Sequence, residues 1–148
     1  ESFNYARKAG LGITVHAGEI CGAKSVDEAI KLGVTRIGHG VRSRESEETI
    51  VKLLENNILL EICPGSNIAI GLYSSLEDHP INFLLNKKLP ISISTDDPPF
   101  FFTTLSKEYE DLHNAFGWDI KIFNEINKRS LEFAFCDAKL KEKLIQQL

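Results

Sequence analysis

Apolar residues along this chain gather in short, dense runs that stop abruptly at ionisable groups, and the segments between them carry helical spacing. Residues 11–15, 34–37, 58–62 and 91–94 are mostly apolar or β-branched, the texture of buried strands. Gly10, ahead of the first run, is placed as a helix C-cap. Ser25 is expected to cap a helix running through Leu32, with Glu28 three residues on completing a capping box and Gly33 ending it. Ser46 opens another helix, in which Ile50, Leu53 and Leu54 keep helical spacing until Asn56-Asn57. Residues 81–85 form the core of a further helix. Beyond Pro99 the texture changes: residues 105–116, 120–135 and 138–148 read as helices, broken at Gly117 and Asp137. Residues 1–8 read as the middle of a helix with no preceding Met, the pattern expected of a segment from a longer chain.

Strands alternating with helices imply parallel pairing in an α/β fold whose sheet is covered by helices. Polar groups stand at each strand end: His16, His39, residues 63–67 and Asp96-Asp97. A doubly wound sheet concentrates its site at one switch point, whereas a TIM (β/α)8 barrel gathers functional groups at successive C-terminal strand ends. Four such ends favour the barrel. Four strands are half of eight, and an open half would expose strand edges. The expectation is therefore one partial barrel domain over residues 1–148, about four parallel strands plus C-terminal helices. The missing half would be supplied in cis or in trans, or the chain would pair with a second copy as a homo-oligomer.

Composition narrows the partners. The 148 residues carry a net charge of −4 with no basic stripe, which argues against nucleic acid. No apolar run approaches the roughly 18 residues a membrane span requires. The first residues lack the apolar centre of a signal peptide. Cys21, Cys63 and Cys136 are odd in number and show no C-x-x-C spacing, so reduced thiols in a cytoplasmic protein are expected.

The chemistry lies in three segments: Thr14-Val15-His16-Ala17-Gly18-Glu19, Arg36-Ile37-Gly38-His39-Gly40 and Ser94-Thr95-Asp96-Asp97-Pro98. A strand-end imidazole at 16 and a strand-end carboxylate at 96 are the mixed nitrogen and oxygen donors that suit catalytic zinc, which keeps one position open for water. Glu19 follows on the loop, facing the same cavity. Each residue alone has a plainer reading. His16 and His39 alone read as packed interior histidines, Asp96-Asp97-Pro98 as a turn or helix cap, and residues 63–67 as a turn. Glu61 is read as the partner of a barrel-interior cation. His79 is assigned to capping or packing and His113 to surface or packing, and Cys21 lacks a base to activate it. Residues Phe100, Phe101 and Phe102 are read as core ahead of an aromatic wall over a substrate. Joint occurrence at matching strand ends favours the site.

Taken together, the three segments resemble the adenosine deaminases of the metal-dependent amidohydrolase superfamily. The resemblance covers nearly the whole chain, as the C-terminal half of that family's barrel. It implies zinc-dependent hydrolysis of adenosine to inosine and ammonia, a step of purine salvage. His16 and Asp96 would be zinc ligands, Glu19 the acid that protonates purine N1, and His39 the group that orients and polarises the water. Asp96 would share that water's proton, while Asp97 and Gly18 would contact the purine. Ser66 and Asn67 would help shape the loop near the site. The family's first strand supplies a His-x-His pair that this segment lacks. Related adenine deaminases tend to carry aspartate where Gly38 stands, so this motif leans towards the nucleoside. Deamination of adenine or a modified purine nucleoside, and an inactive half-barrel that oligomerises, are the alternatives. Gly65 replaces a larger side chain, so a looser loop is expected there.

Overall fold

The computed structural model describes residues 2–148; Glu1, at the head of the expected first helix, lies outside them. Helix α1 (Ser2–Lys8) leads into β1 (Thr14–Ala17), α2 (Ala23–Lys31), β2 (Arg36–His39), a 3-10 turn (Val41–Glu45), α3 (Glu47–Glu55) and β3 (Leu59–Ile62). Then come α4 (Pro64–Ala69), α5 (Ile81–Asn86), β4 (Ile91–Ile93), α6 (Pro98–Phe101), α7 (Leu105–Phe116), α8 (Ile120–Glu132) and α9 (Ala138–Ile145). The four strands form one parallel sheet in the order β1-β2-β3-β4. This is the expected α/β arrangement, half of a barrel.

Alternation along the strands separates the two faces. Ile37, Leu60, Ile62, Ile91 and Ile93 join a core with Val26, Ala29, Ile50, Leu53, Leu84, Leu112 and Ile126 from the covering helices. The opposite face carries Thr14 and His16, paired in register with Arg36 and Gly38, and Gly38 is in turn paired with Glu61. An apolar outer face anchors the helices, and the polar inner face is left for chemistry.

The inner face has its own internal pairing. Glu61 accepts from the Thr14 hydroxyl at 2.6 Å and pairs with Arg36 at 3.0 Å, the interior cation expected for it. Arg36 lies 3.7 Å over the Phe135 ring, and Phe135 also fills the space a side chain at Gly12 would need. The anticipated helix through residue 135 stops at Glu132, and Phe135, beyond its end, packs against Arg36 and Gly12.

Other boundaries shift for local reasons. The first two strands reach further than expected, through Ala17 and His39, because ladder pairing continues to the Ala17–His39 pair. Helix α2 begins at Ala23 with Gly22 as N-cap, so Ser25 is not the cap. Its hydroxyl instead donates to Gly22 O at 2.8 Å and accepts from the Gly18 N–H at 2.8 Å, tying the β1–α2 loop down. Ser46 does cap α3, accepting from the Thr49 N–H at 3.2 Å. Phe100 and Phe102 are 77% and 89% exposed, so the core reading fails: α6 is a single turn on the rim that buries none of its own residues. No helix among the described residues is long and apolar enough to cross a membrane.

Candidate active site

The C-terminal strand ends bring His16, Glu19, His39 and Asp96 together. Simple alternation would send His39 to the helix-covered side with Ile37. Its backbone takes φ 63°, in the left-handed region, and this turns the ring towards the polar face. There the ring lies 5.2 Å from that of His16, with Nδ1 3.5 Å from Glu19 Oε1 and Nε2 3.8 Å from Asp96 Oδ2. Asp96 is also left-handed, at φ 58°. Two such non-glycine residues flanking one cavity are strain of the kind that collects at functional sites.

Gly38 sits beneath this cluster, where an added Cβ would meet the His16 ring at 3.4 Å. The cavity is open, about 430 Å³, and Glu61, Cys63, Thr95 and Leu105 share its lining with His16, His39 and Asp96. His39 is buried, and that burial lowers its pKa against the opposing pull of Glu19 and Asp96. The ring is thus held nearer its neutral form.

The donor set fits a divalent ion. Ligand atoms of His39, Cys63 and Asp96 all lie within 4.8 Å of one another. Burial pushes the Cys63 thiol up to about 12, and its S–H faces Glu61 O at 3.7 Å, so it is the poorest ligand of that group. His16 makes no side-chain hydrogen bond among the described residues. A ring with free nitrogens beside a carboxylate is the nitrogen and oxygen chemistry zinc takes.

Residues following β3 complete the site, and sequence reasoning gave them too little weight. The segment expected to be a turn is helix α4, with Pro64 at its first position and both Ser66 and Asn67 buried. Ser66 Oγ donates to Asp96 Oδ2 at 2.7 Å. Asn67 Nδ2 lies 3.4 Å from Glu19 Oε1 and 3.3 Å from His39 Nδ1. Nor is the Gly65 loop loose: its N–H donates at 2.9 Å to the buried carboxylate of Glu108, which also accepts from the Thr103 hydroxyl at 2.7 Å.

Gly18 is held internally: its N–H donates to Ser25 Oγ and its carbonyl accepts from the Arg42 N–H at 2.8 Å, which leaves no backbone N–H at this position for a substrate. It is glycine because its φ is 67° and a Cβ would stand 2.5 Å from Val26 Cγ2. Asp97 is exposed and precedes α6 without making a capping hydrogen bond. His113 Nδ1 meets Trp118 O at 2.8 Å, remote from the site, as expected.

The family model described as "Adenosine deaminase" matches residues 1–148. An adenine deaminase of Agrobacterium fabrum is 45% identical over 148 residues, covering 99% of this chain and 46% of its own. The crystal structure of an adenine deaminase from Arthrobacter aurescens superposes with a TM-score of 0.93 at 28% identity, over 97% of this chain and 44% of that one. An amidohydrolase from Burkholderia ambifaria with bound Zn gives a TM-score of 0.85 at 25% identity, over 96% and 40% of the two chains. The chain thus spans a little under half the length of the relatives it matches.

Proposed function

The chain belongs to the adenosine deaminase family, and on that premise we propose that it is the C-terminal half-barrel, a single domain, of a zinc-dependent hydrolase. That hydrolase would replace the 6-amino group of a purine with oxygen, releasing ammonia. The carrying observation is the placement of His39 between Glu19 and Asp96, 3.5 and 3.8 Å away, with His16 beside it. Adenine is the favoured substrate, because relatives bearing that name are 38–45% identical to the chain. They outweigh the lean of Gly38 towards adenosine, which stays the second reading.

His16 and Asp96 would hold the zinc, with further donors from the other half of the barrel, in the same polypeptide or in trans. When bound, zinc lowers the pKa of a coordinated water from about 16 to about 7 and so supplies a nucleophile near neutrality. Asp96 would take the proton lost by that water, which His39 would orient and polarise as its oxygen adds to C6. Glu19 delivers a proton to ring N1, which lets N1 accept the electron pair displaced from the C6–N1 double bond. The proton held on Asp96 would then pass to the amino group, which leaves as ammonia, while the hydroxyl at C6 gives its proton to Glu19 and becomes the 6-oxo group, with hydrogen kept on N1. The exposed Asp97 side chain makes no hydrogen bond among the described residues and would face the purine base. The three cysteines are unpaired, which supports a reducing cytoplasm. No nucleic-acid or membrane partner is part of this reading, and homo-oligomerisation stays an option.

The test is ultraviolet absorbance of the complete metal-loaded protein with adenine, adenosine and N6-methylated nucleosides. Adenine should be turned over with the highest kcat/KM, and Glu19→Gln should abolish turnover. Preference for adenosine would overturn the base assignment; no deamination of any purine would overturn the reading itself.

A further inference from the structure

One buried histidine outside the reacting groups is wired to them. His79 is 3% exposed, and burial pushes its pKa down to about 3, so the ring is neutral and carries one N–H. The Ile81 N–H donates to Nδ1 at 3.1 Å, which leaves the ring proton on Nε2. Nε2 lies 3.1 Å from Asn67 Oδ1 and donates to it. Tyr73 packs edge-on against the ring at 4.9 Å, holding its plane.

This contact decides the orientation of an otherwise symmetric amide. With Oδ1 facing His79, the NH2 group of Asn67 must face Glu19 and His39. A flipped amide would set Oδ1 against the Glu19 carboxylate and an NH2 against the Nε2–H of His79, two like-to-like contacts at once. With NH2 in place, the amide directs its hydrogens at Glu19 Oε1 and towards His39 Nδ1.

We propose that His79 is a positioning residue for the deamination: by fixing the Asn67 amide it presents an N–H donor to Glu19 and His39. Only the kinetic half of the argument rests on the reading of Glu19 and His39 as reacting groups. The hydrogen-bond half stands on geometry alone.

Two variants in the complete protein separate positioning from packing. His79→Asn retains an oxygen near Nδ1 to accept from Ile81 but has no donor that reaches Asn67. His79→Gln places an amide N–H close to the Nε2 position. In the metal-loaded enzyme, H79N should lower kcat about 10–100-fold, the usual cost of losing a supporting hydrogen bond behind a metal-site residue. KM should stay unchanged, and H79Q should recover most of the loss. Nitrogen-15 spectra of the histidine rings in the metal-free protein give a readout independent of turnover. Wild type should show an Nε2–H ring at 79, and in H79N the Asn67 side-chain amide protons should exchange faster with solvent.

Equal losses in H79N and H79Q, or a loss confined to KM, would overturn the proposal. So would an Nδ1–H ring at 79 in wild type, which decides the matter even if both variants fail to fold. A matching tautomer pattern in a protein that deaminates no purine would leave the hydrogen-bond device standing and sink the deaminase reading.

Discussion

Gly65→Ala tests how firmly the loop after β3 is held. The added methyl would overlap Glu108 Oε1 and lie 3.1 Å from that residue's Cδ. Glu108 is 2% exposed and serves two donors, the Gly65 N–H at 2.9 Å and the Thr103 hydroxyl at 2.7 Å. Moving the carboxylate aside strands both donors, at about 1–3 kcal/mol for each buried group left unpaired. Against this, alanine removes backbone freedom from the unfolded chain, worth about 0.4–1 kcal/mol. The net expectation is a loss of about 1–6 kcal/mol, read as a lower urea midpoint at constant slope. Removing the obstructing carboxylate should make the methyl harmless, so G65A combined with Glu108→Ala should cost less than the two single changes added, by about 1 kcal/mol or more. A G65A protein as stable as the parent, or strictly additive effects, would refute the idea that Glu108 pins this loop.

Further expectations follow from burial and chemistry. His79 has a folded pKa of about 3, below its unfolded value of 6.5, so its contribution to stability is complete above pH 6.5. It falls by about 1.4 kcal/mol per unit as pH drops from there towards 3; denaturation midpoints of wild type and His79→Gln at pH 7.5 and 5 should converge at the lower pH. Iodoacetamide at pH 8 should label exposed Cys21 and spare Cys63, whose thiol is held at about 12, as peptide mapping would show; equal labelling contradicts this. Leu60→Ala empties a fully buried position packed against Gly40 and should cost about 2–5 kcal/mol by the same denaturation assay. A chelator should lower deaminase activity, and added zinc should restore it.

Much of this was legible in the chain itself. Apolar runs located all four strands, and the ionisable groups at or just after their ends pointed to His16, Glu19, His39 and Asp96, which the fold brings together. What escaped depended on contacts between distant segments. Asn67 read as a turn residue, since nothing nearby in sequence announces that Glu19 and His39 converge on it. Ser25 looked like a cap because its local pattern fits one, yet a tertiary bond to Gly18 claimed its hydroxyl. The three phenylalanines after Pro99 looked like core, since hydrophobicity does not distinguish a buried turn from a rim.

The left-handed backbone at Asp96 has a consequence for engineering. Glycine there would relieve strain of about 1–3 kcal/mol, against about 1–3 kcal/mol for leaving the buried Ser66 hydroxyl unpaired and about 0.4–1 kcal/mol for a freer unfolded chain. Selection for heat resistance alone would thus weigh little against Asp96→Gly, a variant without the carboxylate proposed to hold the metal. Any thermostabilisation campaign on this scaffold has to score turnover in the same round, or it will enrich robust, silent proteins.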